Sequence, residues 1–275
     1  MENLLNAETL SLALGMLACG AVAGVLAGLL GVGGGIVIVP VLYTTLGFLG
    51  VDPDIQMHVA VGTSLATIIP TSISSSRAHH KRGAVDIDLI KSWAIAIVIG
   101  AIGGIAVAGQ VKSPTLTLVF AVIALIVAAN MLLNSKGKSI WSSLPSGIMS
   151  QPIAAGIGGF SVLMGIGGGT LSVPILTLFN YPIHRAVGTA ALFGLLISLP
   201  GTIGFIYNGF GNPSLPPASF GYVNLLGLAL ISPVTMLFAP LGAKIAHSIC
   251  KTALRIAFGI FLLLTSIRMF YGLVN

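Results

Sequence analysis

The sequence predicts an all-α polytopic membrane protein built from two related halves, and three observations predict it. Of the 275 residues, 56% are hydrophobic and only 7% are charged, whereas a soluble domain carries about 25% charged residues. The apolar residues fall in long runs, most of them near the roughly 20 residues with which a helix crosses a ~30 Å hydrocarbon core. A glycine-rich motif occurs twice. Alternation of lumen-facing and lipid-facing residues is missing, which excludes a β-barrel.

Along the chain the apolar runs cover 9–30, 36–49, 57–75, 89–110 and 114–133, then 146–164, 170–179, 186–207, 222–241 and 253–272. Glu2 and Glu8 flank the start of the first run with no Lys or Arg before it, so the segment lacks a signal peptide's basic region and reads as retained. The second and seventh runs are about 14 and 10 residues, about 21 and 15 Å as helix, and span a bilayer poorly. Most of the other runs reach spanning length. Each half is therefore predicted to be a glycine-broken hairpin followed by three transmembrane helices.

The duplication rests on two ordered blocks. Gly31-Val-Gly-Gly-Gly-Ile-Val-Ile-Val-Pro-Val-Leu42 recurs as Gly165-Ile-Gly-Gly-Gly-Thr-Leu-Ser-Val-Pro-Ile-Leu176, an offset of 134 from Gly31 to Gly165. His58-Val-Ala-Val-Gly-Thr-Ser64 recurs as His184-Arg-Ala-Val-Gly-Thr-Ala190, an offset of 126 from His58 to His184. The predicted domains are 1–138 and 139–275, joined at the polar Asn134-Ser-Lys-Gly-Lys-Ser139.

Charge placement predicts how the halves are oriented. If one long helix ran through each glycine block, Lys and Arg would divide almost evenly between the two faces. If each block turns its segment back, Arg77, Lys81, Arg82, Lys91, Lys136, Lys138, Arg185, Lys244, Lys251 and Arg255 share one face, leaving Lys112 and Arg268 on the other with Asp52 and Asp54. The positive-inside rule favours the second arrangement. Each half then crosses an odd number of times, the repeats are inverted, and both termini lie outside the cytoplasm, in an inner-membrane protein. The two breaks enter from opposite faces and can meet near the midplane.

Three consecutive glycines, Gly33, Gly34 and Gly35 or Gly167, Gly168 and Gly169, favour helix breakage. Broken backbone at membrane depth persists only where protein, water or ligand satisfies it. The helix that follows offers free N–H groups and a positive dipole end to an anion. Close packing through small residues is the competing reading of a single such block. Two copies, each followed by a short helix with a matched proline (Pro40, Pro174), favour a substrate site. Thr63, Ser64 and Thr189 add uncharged hydroxyls, although membrane Ser and Thr often bond their own backbone. His58 and His184 open equivalent segments and are candidates for gating or proton coupling, against an interfacial capping role. Arg185 is either an anion-attracting charge or a topology anchor.

No Lys-Ser/Thr follows either glycine block and no soluble βαβ unit surrounds it, so a nucleotide loop is not expected. Glu2, Glu8, Asp52, Asp54, Asp86 and Asp88 all lie in loops or at span ends. No catalytic dyad, metal constellation or cofactor lysine is visible within a span, and an enzyme, a metal or a cofactor is not expected. Cys19 and Cys250 read as small packing residues, and the basic residues sit in short loops rather than in a nucleic-acid patch. The uncharged segment 207–217 reads as a connecting loop able to cover one entrance.

The repeated G-x-GGG-x4-P-x-L block followed by H-x-AVGT resembles the TauE/SafE family of sulfite exporter-like permeases, over nearly the whole chain. In the second half Ala190 stands where the first has Ser64, which makes the half-sites chemically unequal. The resemblance implies transport of sulfite, a sulfonate or another organosulfur anion. The resulting expectation is a secondary carrier with a small anionic substrate, protons as the open coupling question, and the lipid bilayer as its setting. A passive anion channel is the alternative.

Overall fold

The structure, a computed structural model, describes residues 7–30, 33–133, 140–145, 147–245 and 251–274. The predicted junction 134–139, with Lys136 and Lys138, and also Gly31 and Cys250, lie outside the described residues.

Helices form where the apolar runs predict them. In the first half they are α1 (Ala7–Leu30), α2 (Gly35–Phe48), α3 (Pro53–His80), α4 (Ile87–Ala108) and α5 (Ser113–Leu133). A short 3-10 turn, Gly147–Ser150, then leads into α6 (Gln151–Leu163), α7 (Gly169–Leu178), α8 (Ile183–Gly209), α9 (Leu225–Ile245) and α10 (Lys251–Val274). By length and composition α4, α5, α8 and α9 can each cross a membrane, and the chain is an all-α polytopic membrane protein. A two-stranded sheet pairs β1 (Ser219–Phe220) with β2 (Val223–Asn224), just before α9. Caps explain why helices outrun the apolar runs. The Asp52 carboxylate accepts the Asp54 amide at 2.9 Å, with Pro53 opening α3, and the Asp86 carboxylate accepts the Asp88 and Leu89 amides at 3.1 Å to open α4.

Small residues let the helices touch at the backbone. Along α1, Gly20, Gly24 and Gly28 meet Ile231, Thr235 and Ala239 of α9 in that order, so the two helices run parallel. Gly100 and Gly104 of α4 meet Ala155 and Gly159 of α6, again parallel. The α3 and α8 helices cross antiparallel, with Gly62 against Phe205, Leu65 against Gly201 and Ser72 against Gly194. So do α5 and α10, where Leu132 meets Gly259 and the Ser266 hydroxyl donates to Ala121 O at 2.8 Å. These interfaces are the close approach of small residues that packs helices without a hydrophobic driving force between them.

The glycine blocks turn the chain back. The end of α1 lies beside the end of α3, where the His79 ring sits 3.0 Å from Gly28 O and the Ser75 hydroxyl reaches Ala27 O at 3.5 Å. Both side chains serve carbonyls that the last turn of a helix leaves open. The backbone then returns to Ile68 by Gly33–Gly35, and α2 runs back along α3 until Gly47 faces Gln56. Thus α2 is antiparallel to α3 and to α1. In the second half Gly168 lies against Ala190, Phe193 and Gly194, and the turn at 179–182 joins α7 antiparallel to α8. The arrangement gathers Arg77, Lys81, Arg82, Lys91, Arg185, Lys244 and the first residue of α10, Lys251, at one end of the bundle. Lys112 and Arg268 lie towards the other.

Candidate functional site

The two glycine breaks come together at the middle of α3. A Cβ on Gly33 would meet Ile68 Cγ2 at 2.9 Å and Gly167 Cα at 3.5 Å, and one on Gly35 would overlap Gly165 O. Gly33 (φ 71°), Gly34 (φ 79°) and Gly165 (φ 64°) adopt the left-handed backbone that a side chain disfavours. From this meeting point α2 and α7 diverge towards opposite ends of the bundle, so their N-termini face inward. Among the bonds between described residues, the first amides of α2 with an acceptor are Val37 and Ile38, both to Gly34 O, and in α7 the first is Ser172, to Gly168 O at 3.0 Å. The amides of Gly168, Gly169 and Thr170 have no acceptor among the described residues. Two positive helix ends therefore converge in the interior, that of α7 with amides that have no acceptor among the described residues.

Of the hydroxyls singled out from sequence, Ser64 reaches this point, and it is already engaged: its Oγ donates to Gly165 O at 2.7 Å and ties one half to the other. Thr63 lies towards the Asp52 end of α3, where its Oγ1 accepts the Asn224 amide at 2.8 Å. His58 is buried beside it. Its Nε2 lies 3.1 Å from Ala108 O, its ring centroid is 5.0 Å from that of Tyr222, and its Nδ1 has no partner. The segment 210–224 thus closes over this end of the α3–α8 pair, with the Tyr222 amide donating to Phe205 O at 3.2 Å. His58 and Thr63 are about 140° apart on an ideal helix, yet both touch this segment because it runs along α3.

Thr189, His184 and Arg185 gather at the opposite end. Thr189 Oγ1 accepts the Asp86 amide at 2.9 Å. Arg185 Nη2 lies 3.1 Å from Asp86 Oδ2, which also accepts the Tyr181 hydroxyl. Burial alone would raise the Asp86 carboxyl, but the Tyr181 hydroxyl, the Leu89 amide and the Arg185 guanidinium hold it below the usual carboxylate range. Burial and the same carboxylate push the Tyr181 hydroxyl up. His184 is exposed at the start of α8, so the two histidines that occupy equivalent sequence positions have unlike surroundings.

Sequence reading did not single out Asp86 as the partner of Arg185 and Tyr181, nor Asn224 as the partner of Thr63. These pairs join segments about 100 residues or more apart, and no local pattern encodes them. Among the described residues no group of His, Cys, Asp and Glu is placed to hold a metal ion.

The sulfite exporter TauE/SafE family profile matches residues 16–269. A probable membrane transporter protein of Haemophilus influenzae is 34% identical over 257 residues, covering 91% of this chain and 95% of that protein. Probable membrane transporter proteins of Bacillus subtilis and Methanocaldococcus jannaschii are 28% and 30% identical over 92% and 86% of this chain. No solved structure matches. A helical membrane bundle, broken helices that meet inside it, and a profile match along almost the whole chain agree: this membrane transporter belongs to the sulfite exporter TauE/SafE family.

Proposed function

We propose that the chain is a secondary carrier of small sulfur-containing anions such as sulfite or a short sulfonate, working by alternating access in the inner membrane. The observation that carries the proposal is the convergence of the α2 and α7 N-termini beside Ile68, where free amides and two positive dipole ends face one buried point. An anion there replaces water as acceptor for N–H groups that hydrocarbon cannot satisfy.

The antiparallel α3–α8 and α5–α10 crossings, and the matching α1–α9 and α4–α6 contacts, support two inverted halves that can rock against each other. Each entrance has its own closure. At the Lys/Arg-rich end the Asp86–Arg185–Tyr181 tie holds α4 to α8. At the other, His58 and Thr63 meet Tyr222 and Asn224. The positive-inside rule puts the first in the cytoplasm and both termini on the far side. His58, with one ring nitrogen unpartnered, is the group assigned to proton coupling.

Purified protein in liposomes, offered radiolabelled sulfite, thiosulfate and a short alkanesulfonate with and without a pH gradient, tests this reading. Saturable accumulation of one of them is expected. Absence of uptake of all of them by demonstrably folded protein would remove the substrate assignment.

A further inference from the structure

Most hydroxyls inside the bundle have an evident partner. Thr44, Thr71, Thr117 and Ser172 each donate to the carbonyl four residues earlier, the usual resting place of a membrane Ser or Thr. Ser72, Ser161, Thr170, Ser198 and Thr202 do not. Ser72, Ser161 and Ser198 are fully buried, Thr170 is 1% and Thr202 9% exposed, and none of the five has a hydrogen-bond partner among the described residues. An orphaned hydroxyl in a dry interior is costly and calls for a ligand or an ordered water.

Three of the five, Ser72, Thr170 and Ser198, lie at the N-terminus of α7 or on the α3–α8 crossing beside it. Thr170 stands in the first turn of α7, among the amides that lack acceptors. Ser72 Oγ lies 2.5 Å from where a Cβ on Gly194 would sit, and that point is 3.6 Å from the Gly168 nitrogen, so hydroxyl and amide flank the same spot. Ser198 follows Gly194 by four residues and precedes Gly201 by three, on the face of α8 that meets α3. The offset of 126 that relates His58 to His184 also relates Ser72 to Ser198, so the same hydroxyl recurs in each half near the α3–α8 crossing.

The charge of the ligand follows from what surrounds this point. Among the described buried residues the polar side chains are Ser, Thr, Gln56, Asn224, His58 and His79, with no Lys, Arg, Asp or Glu. Both histidines are ten or more residues along α3 from Ile68, about 15 Å of helix rise. Neutral donors and helix ends can hold one negative charge. The desolvation cost of an ion grows with the square of its charge, and among the described residues no buried cation offsets a second one.

We propose that Ser72, Thr170 and Ser198 are substrate-binding residues at the N-terminus of α7, and that the site takes a singly charged oxyanion, a sulfonate or hydrogensulfite rather than a dianion. This rests on the transport reading above. The test uses full-length protein in liposomes with a radiolabelled short alkanesulfonate, comparing wild type with Ser72→Ala, Thr170→Val and Ser198→Ala, and with Thr117→Val as a control outside the site. Each of the three is expected to raise KM by about tenfold or more, as loss of a hydrogen bond to a charged group does. Each should also shrink the substrate-induced rise in Tm while leaving the unliganded Tm equal or higher, because an orphan donor has been removed. Wild-type KM in all three variants overturns the hydroxyl site while transport stands. Failure of wild type to transport overturns both. For the charge claim, sulfite uptake across neutral pH, normalised to the permanently monoanionic sulfonate, should follow the hydrogensulfite fraction. Uptake that follows the dianion overturns it.

Discussion

Gly34 shows how closely a single residue controls the break. Its φ of 79° is left-handed, and a Cβ would stand 2.8 Å from Ala23 O. Gly34→Ala and Gly35→Ala should therefore each destabilise the protein by about 1–3 kcal/mol, measured as a loss of Tm in detergent. An unchanged Tm in both would mean that the tight backbone contact does not exist. Asp86 gives a residue-scale prediction with a pH sign. Its carboxyl is held below the ordinary value of 3.8, so its contribution is fully present above that pH and is lost as pH falls through the lowered folded value. Asp86→Asn should flatten stability against pH in that acid window. The change at neutral pH should stay within about 1 kcal/mol, because Arg185 is 53% exposed and such pairs are weak. Acid titration of Tm in wild type and variant checks both. The triple glycines were legible in sequence because only a backbone need explains three in a row. The orphan hydroxyls of Ser72 and Ser198 were not, since a serine in an apolar run looks the same whether or not its neighbour accepts a bond.

Among elements, the long helices could be read directly from the apolar runs, and their ends moved outward only as far as caps such as Asp52 and Asp86 carry them. The half-length helices were legible too, since 14 and 10 residues cannot span. Which glycines pack and which face open space was hidden, because both kinds look alike in a run. On α4, a Cβ on Gly100 would overlap the Ala155 carbonyl, whereas Gly103 has no atom near it. Gly100→Leu should cost the α4–α6 interface several kcal/mol by overpacking and yield aggregated or poorly folded protein. Gly103→Leu should purify like wild type, and size-exclusion profiles of the pair read the difference. Similar profiles would place the α4–α6 interface elsewhere.

For the whole molecule, α4 sets Lys81 and Lys91 at one end of the bundle and Lys112 at the other. Single cysteines placed at Lys81 and Lys112 should therefore react with a membrane-impermeant thiol reagent from opposite faces of intact cells and inverted vesicles. Labelling of both from the same face would contradict a membrane-crossing α4. The sequence could not reveal that Ser64 bonds Gly165 across the two halves, or that Arg185 is held by Asp86, because such pairs exist only once the helices are packed. Alternating access around the paired breaks is most directly tested by counterflow in proteoliposomes. Vesicles loaded with unlabelled alkanesulfonate and diluted into a trace of labelled substrate should transiently accumulate label well above equilibrium, with saturation by internal substrate. A flux that simply equilibrates, unaffected by the internal pool, would identify a passive pore and contradict the account.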